Sequence, residues 1–332
     1  MNFSLLKRLR VGLAIFFLVL LVLLFVDFRK SFSKEFYEWA VSLQFVPAML
    51  KSYFLPGVDV LSITFLILLT LFFGRVYCSV LCPLGILQDV ISWISGKTKK
   101  KRRYKYHKAW TIGRYILLTM VISPLFFGSI TLVTLLDPYS LFGRIATILF
   151  KPVVVVVNNI FAAGFAKADI YNWLYRYDMI PVHPAILIIA TIFLAGIGYF
   201  AFTRGRRYCN TICPVGTFLG LISRFAIFKI KINKHNCTHC GRCARVCKAE
   251  CIEVKSQTID YSRCVACYNC LTVCSDKAMT YNPKFVKPFV MPAGIEPKVA
   301  KKKGVSAPDS SKRNFLITSV VGIAALYGFK AP

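Results

Sequence analysis

The sequence predicts a multi-pass α-helical membrane protein that carries a small α+β domain organised around cysteine. Three observations predict it. Hydrophobic residues make up 56% of the 332 positions and charged residues 17%, whereas soluble domains sit near about 45–50% and about 25%. The apolar residues gather in runs of membrane length. Nine of the 13 cysteines lie between Cys237 and Cys274, and such a cluster beside membrane segments reads as metal ligands rather than a disulfide framework. This composition excludes a disordered chain and argues against an ordinary soluble enzyme.

A membrane crossing takes about 20 mostly apolar residues. Residues 11–26 follow Lys7, Arg8 and Arg10 and lead into Asp27-Phe28-Arg29-Lys30, with no small-residue cleavage site, so an uncleaved anchor is expected. Residues 57–74, 115–136 and 182–203 supply three more crossings. The apolar stretch 145–166 is interrupted by Lys151-Pro152 and Asn158-Asn159. It is expected to lie in the interface or against the bundle rather than to cross.

Charge sets the orientation. The chain carries 43 Lys and Arg against 14 Asp and Glu, a formal net charge of +29. The loop after the second crossing holds Lys97, Lys99, Lys100, Lys101, Arg102, Arg103, Lys105 and Lys108, and Arg204, Arg206 and Arg207 follow the fourth. Positive loops stay inside. The N-terminus, the 75–110 loop and everything just after 204 are therefore expected in the cytoplasm, with four crossings preserving the parity. A basic run between two crossings meets anionic lipid headgroups, so the bilayer is the expected partner and nucleic acid is not.

An internal repeat lies at an offset of 131. Gly74-Arg75-Val76-Tyr77-Cys78-Ser79-Val80-Leu81-Cys82-Pro83-Leu84-Gly85 aligns with Gly205-Arg206-Arg207-Tyr208-Cys209-Asn210-Thr211-Ile212-Cys213-Pro214-Val215-Gly216. Each copy follows a pair of crossings, as in parallel repeats about an axis along the membrane normal. Proline after the second cysteine suits the first turn of a helix, and a helix N-terminus favours thiolate over thiol. Cys78, Cys82, Cys209 and Cys213 are thus candidates for an additional metal site or a redox thiol site at the membrane face. Four sulfurs suit an iron–sulfur cluster, zinc or Cu(I). A dithiol redox pair and simple packing are the alternatives.

The remaining cysteines fall in two runs at an offset of 27: Cys237-x2-Cys240-x2-Cys243-x3-Cys247 and Cys264-x2-Cys267-x2-Cys270-x3-Cys274. In this bacterial pattern the fourth cysteine of each run serves the other cluster. Cys237, Cys240, Cys243 and Cys274 are expected to hold one 4Fe-4S cluster, and Cys264, Cys267, Cys270 and Cys247 the second. The fold class is then a multi-pass α-helical membrane protein with a small α+β two-cluster (2[4Fe-4S]) ferredoxin domain, whose edge strands are expected at 229–232 and 257–260. Lys248 and Ser275 replace the usual proline after each fourth cysteine. Cys251 aligns with Ala278 and is expected to pack beside a cluster without binding it.

These motifs give domains at 1–110 and 111–228, each a membrane half-repeat with one C-x-x-x-C-P motif, and a ferredoxin domain at 229–282. A Pro/Lys-rich linker at 283–313 and an apolar segment at 314–332 follow. Ser311-Lys312-Arg313-Asn314-Phe315-Leu316 looks like a twin-arginine export signal with Lys for the first Arg. A terminal membrane helix is the alternative.

Two C-x-x-x-C-P repeats behind paired crossings, followed by a two-cluster ferredoxin, resemble the membrane-bound polyferredoxin family that includes NapH, NosR and CcoG, over residues 1–282. The resemblance implies a bacterial inner-membrane electron-transfer subunit rather than a stand-alone enzyme. It would relay electrons between the quinone pool or a cytoplasmic donor and a respiratory or periplasmic partner protein. Redox proteins and quinone are the implied partners. Some relatives support copper-enzyme assembly, so a metallocentre-maturation factor is the alternative.

Overall fold

A computed structural model describes residues 3–27, 31–54, 60–98, 104–166, 175–178 and 183–283. The linker and tail expected beyond 283 lie outside these residues. The first half-repeat runs through α1 (Phe3–Val26), α2 (Lys34–Ser42), α3 (Phe45–Phe54), α4 (Val60–Phe73), α5 (Tyr77–Val80) and α6 (Pro83–Thr98). The second runs through α7 (Thr111–Phe126), α8 (Thr131–Leu136), α9 (Pro138–Ile145), α10 (Lys151–Ala166), α11 (Pro184–Arg204), α12 (Arg207–Thr211) and α13 (Pro214–Ser223).

Among the described residues, three helices are long and apolar enough to cross a membrane: Phe3–Val26, Pro138–Phe165 and Pro184–Arg204. The second departs from expectation. The chain passes through Lys151-Pro152 without breaking, because one π turn at Ala146–Phe150 joins α9 to α10 and Lys151 N–H reaches back to the Ala146 carbonyl. Widening the helix there accommodates a proline that lacks an N–H and would clash in a regular turn. Asn158 and Asn159, the other interruption, bond the backbone of Tyr175 and Tyr177. Conversely, the crossing expected at 115–136 is divided. Pro124 stands in the last turn of α7, and Gly128, at φ +73°, turns the chain toward α8. α4 covers Val60–Phe73 of the run expected at 57–74, whose residues 57–59 lie outside the described ones.

The two halves follow one plan. In the first, a buried Gln44 between α2 and α3 accepts a hydrogen bond from the Tyr77 hydroxyl at 3.3 Å. In the second, α8 leads to buried Asp137, which caps α9 through Ser140 N at 2.9 Å and lies within electrostatic reach of Tyr208. Each half therefore places a buried polar residue near its motif tyrosine, Gln44 by a hydrogen bond and Asp137 by electrostatic reach.

The motifs themselves interlock. Gly74 and Gly205 take φ of +77° and +71°, a left-handed turn that costs a side chain about 1–2 kcal/mol. The next residue of each copy crosses to the other half. Arg75 donates to the Cys209 carbonyl at 3.3 Å and Arg206 to the Cys78 carbonyl at 2.5 Å. Pro83 and Pro214 open α6 and α13, with Cys213 Sγ accepting from Gly216 N at 3.3 Å. α6 packs along α11 and α13 along α4, so each helix behind a motif lies against the helix before the other motif.

The ferredoxin-like domain comprises β1 (Phe228–Ile232), α14 (Arg242–Arg245), β2 (Ile252–Glu253), β3 (Thr258–Ile259), α15 (Asn269–Val273) and β4 (Met279–Pro283). β1 pairs antiparallel with β4, and β2 with β3. The expected strands thus lie in place, but each pairs with a strand not foreseen. The offset of 27 recurs in the backbone: His239 and Ala266, Gly241 and Tyr268, and Glu250 and Lys277 all have positive φ.

Space at the interlock is minimal. A Cβ on Gly85 would stand 2.3 Å from the Cys78 carbonyl oxygen, and one on Gly216 2.3 Å from that of Cys209. Gly85→Ala and Gly216→Ala should each destabilise the protein by about 1–3 kcal/mol or more, as overpacking does. Gly12→Ala, where a Cβ meets nothing within 4 Å, should be neutral or slightly stabilising. Thermal unfolding in detergent, followed by intrinsic fluorescence, checks the contrast.

Candidate metal centres

Two apolar hollows lie in the ferredoxin-like domain. Cys237, Cys240, Cys243 and Cys274 line the first together with Ile252 and Val254. Cys247, Cys264, Cys267 and Cys270 line the second with Ile230 and Ile259. Four cysteines thus line the first hollow, and Cys251 joins the other four around the second. Left-handed residues shape the loops. The αL turns at His239, Gly241, Ala266 and Tyr268 let cysteines three apart face one hollow, and such turns also gather backbone N–H groups toward an anion. These sets fit 4Fe-4S clusters: soft thiol donors, apolar walls and few competing ligands.

Cys251 lies beside the second hollow. It is 1% exposed, lines the second hollow, and its sulfur stands 3.5 Å from that of Cys247. The second hollow thus has five cysteines around it.

The two sites differ in setting. At the first, Cys240 is exposed and Cys237, Cys243 and Cys274 are half-buried. The second rests on the interlocked motifs. The residues flanking its ligands make the contacts: Arg206 N donates to Lys248 O at 3.0 Å, Asn210 Nδ2 to Ala249 O at 3.0 Å, and Arg75 Nη1 to Ser262 O at 3.0 Å. Arg114 of α7 also donates to Ser262. Asp260 caps the loop before Cys264 through Ser262 and Arg263 Nε. Burial opposes its ionisation, but these bonds prevail and hold its carboxyl below the usual range.

One carboxylate anchors several cations in this layer. Asp89 of α6 pairs with Arg206 at 2.8 Å, with Lys248 at 3.4 Å and with Arg10 of α1. Burial disfavours its charge, yet Arg206, Lys248 and Arg10 outweigh that and hold the carboxyl well below the ordinary range. Lys248 follows Cys247, so this network ties the second site to both half-repeats. The sequence signals were present: Arg75 and Arg206 are identical positions of the repeat, and Asp89 is a lone acid in an apolar helix.

Cys78, Cys82, Cys209 and Cys213 are all buried. Each lies within electrostatic reach of the other three. Among the described residues, no three His, Cys, Asp or Glu side chains converge closely enough for a single metal ion.

A family of 4Fe-4S binding domains matches residues 59–102 and 182–235, the two segments that carry the C-x-x-x-C-P motifs. The chain is 28% identical over 176 residues to the methylamine utilization ferredoxin-type protein MauN of Paracoccus denitrificans, covering 52% of this chain and 48% of MauN. It is 23% identical over 209 residues to the putative electron transport protein YccM of Escherichia coli, 63% of this chain and 51% of YccM. Over 219 residues it is 23% identical to the ferredoxin-type protein NapH of Escherichia coli, 64% of this chain and 63% of NapH. The matches thus span about half to two thirds of these relatives. No solved structure matches. Cysteine sets suited to iron–sulfur clusters, apolar helices of membrane length and these relatives agree, and together they support a membrane polyferredoxin similar to the ferredoxin-type electron-transport proteins.

Proposed function

We propose that the protein relays electrons along two 4Fe-4S clusters in series, from a donor at the exposed end of the ferredoxin domain to the membrane layer. The observation that carries this is the setting of the two hollows: the first opens at the surface through Cys240, and the second is docked on the motifs. A 4Fe-4S cluster takes up and gives back one electron at a time. The residues of this chain hold the clusters, insulate them with Ile230, Ile252 and Ile259, and fix their order. In the first set Cys237, Cys240, Cys243 and Cys274 are the ligands, and in the second Cys247, Cys264, Cys267 and Cys270. Cys251 stays a neighbour, because spacing already fills all four corners of the second cluster.

We further propose that the chain is a multi-pass protein of the cytoplasmic membrane with the ferredoxin domain inside. The Lys and Arg of 97–108 and 204–207 support that side. The partners are a redox protein at the exposed cluster and either quinone or a second redox protein at the membrane. The relatives' names, ferredoxin-type and electron transport, favour this relay over metallocentre maturation.

Two experiments test these points. Cys240→Ser should abolish or alter one EPR signal of the reduced protein, Cys267→Ser the other, and Cys251→Ala neither. Loss of a signal in Cys251→Ala would reverse the ligand assignment. For topology, epitope tags inserted after Gly128 and after Asp178 should be reachable from the same side of sealed vesicles, and a tag after Lys108 from the opposite side. Tags after Gly128 and Asp178 on opposite sides would mean that the chain does not turn back at α8.

A further inference from the structure

Four thiols have no part in the two-cluster relay, and what surrounds them is cationic and incompletely satisfied. Arg75 is 0% exposed. Its guanidinium bonds neutral acceptors, Asn210 Oδ1 at 2.9 Å, Ser262 O at 3.0 Å and Cys209 O at 3.3 Å, and it lies 3.8 Å from Cys78 Sγ. None of these bonds reaches a carboxylate, and its Nε is buried with no partner. Around the same thiols Arg206 Nη2, Gln88 Nε2 and the Tyr208 hydroxyl are also buried without a partner. Gln88 belongs to this shell, since its Oε1 stands 3.5 Å from Cys209 Sγ. Tyr208 lies within electrostatic reach of Cys213, Cys209 and Cys82.

A buried guanidinium without a counter-charge costs several kcal/mol. Each orphaned donor adds about 1–3 kcal/mol. Four neutral thiols relieve neither, because S–H is a weak acceptor and carries no charge. An anionic, sulfur-rich centre relieves both. A single ion does not suit the site, since no three thiols converge on one point. A cubane cluster spreads its four thiolates over four irons and needs no common focus, and the four thiols here are buried within electrostatic reach of one another. The helix starts at Pro83 and Pro214 add partial positive charge beside Cys82 and Cys213.

We propose that Cys78, Cys82, Cys209 and Cys213 together hold a third 4Fe-4S cluster at the junction of the half-repeats, with Arg75 as its counter-charge and Arg206, Gln88 and Tyr208 as donors to its sulfurs. Arg75 is shared with the second ferredoxin site through Ser262, beside Cys264. The third cluster is therefore the next station of the proposed relay, on which its place in the order rests. Its existence does not depend on that order.

The test uses the full chain, purified anaerobically in detergent. Iron and acid-labile sulfide should approach about twelve of each per chain, and a Cys78→Ser/Cys209→Ser double variant should fall to about eight. The two ferredoxin EPR signals, unchanged in that variant, serve as the control for folding. Arg75→Gln should lose or shift the third signal selectively, and Arg75→Lys, which keeps the charge, should retain it. About eight irons in the unaltered chain, with both ferredoxin signals intact, would overturn the third cluster. Zinc or copper at these cysteines would overturn it equally. A third signal without the two ferredoxin signals would count against the relay instead.

Discussion

The structure depends on the reciprocal crossing of Arg75 and Arg206. Each leaves a glycine turn in its own half-repeat and bonds the carbonyl of the first motif cysteine in the other. Neither is accessible to solvent. Burying two guanidinium groups is costly, and the cost is met only if both halves and the ferredoxin loops stand where their acceptors are needed. The arginines thus act as a register device. Arg206 is neutralised by Asp89, which also gathers Arg10 and Lys248. Arg75 reaches Ser262, the residue two before Cys264. One layer of charge therefore positions the membrane helices, the four motif thiols and the inner ferredoxin site at once.

That shared layer gives the molecule a direction. The ferredoxin domain is nearly symmetric within itself, with left-handed residues repeated at an offset of 27. Its surroundings are not. One hollow opens to solvent and the other lies on buried arginines. Positive charge and N–H donors near an iron–sulfur cluster favour its reduced, more negative state. Electrons entering at the surface site would accordingly be drawn toward the inner one. A symmetric module is polarised by where it docks.

Much of this was legible in sequence. Cysteine spacing is a short-range code, so the eight ferredoxin cysteines and their division into two sets could be read directly. The C-x-x-x-C-P repeat could be read for the same reason. Long-range consequences could not. Nothing at Arg75 says that its partner is Cys209, 134 positions away. The Asp89 network joins α1, α6, the turn that caps α12 and the loop after Cys247, segments far apart in the chain. Proline and lysine interrupt the stretch 145–166 by local rules, yet a π turn absorbs both. The divided stretch 115–136 shows the reverse, where an apolar run hid a turn at Gly128. Strand positions were visible from pattern, but their partners depended on the fold closing.

The order of the two ferredoxin sites is the centre of this account, and rapid freeze-quench EPR tests it most directly. The protein would be mixed with a soluble, membrane-impermeant one-electron donor and sampled over time. The account predicts that the signal assigned through Cys240→Ser appears first and decays into the signal assigned through Cys267→Ser, and that reduction of the inner site slows sharply in Cys240→Ser. If the inner site were reduced first, or at an unchanged rate in Cys240→Ser, the series arrangement would be contradicted.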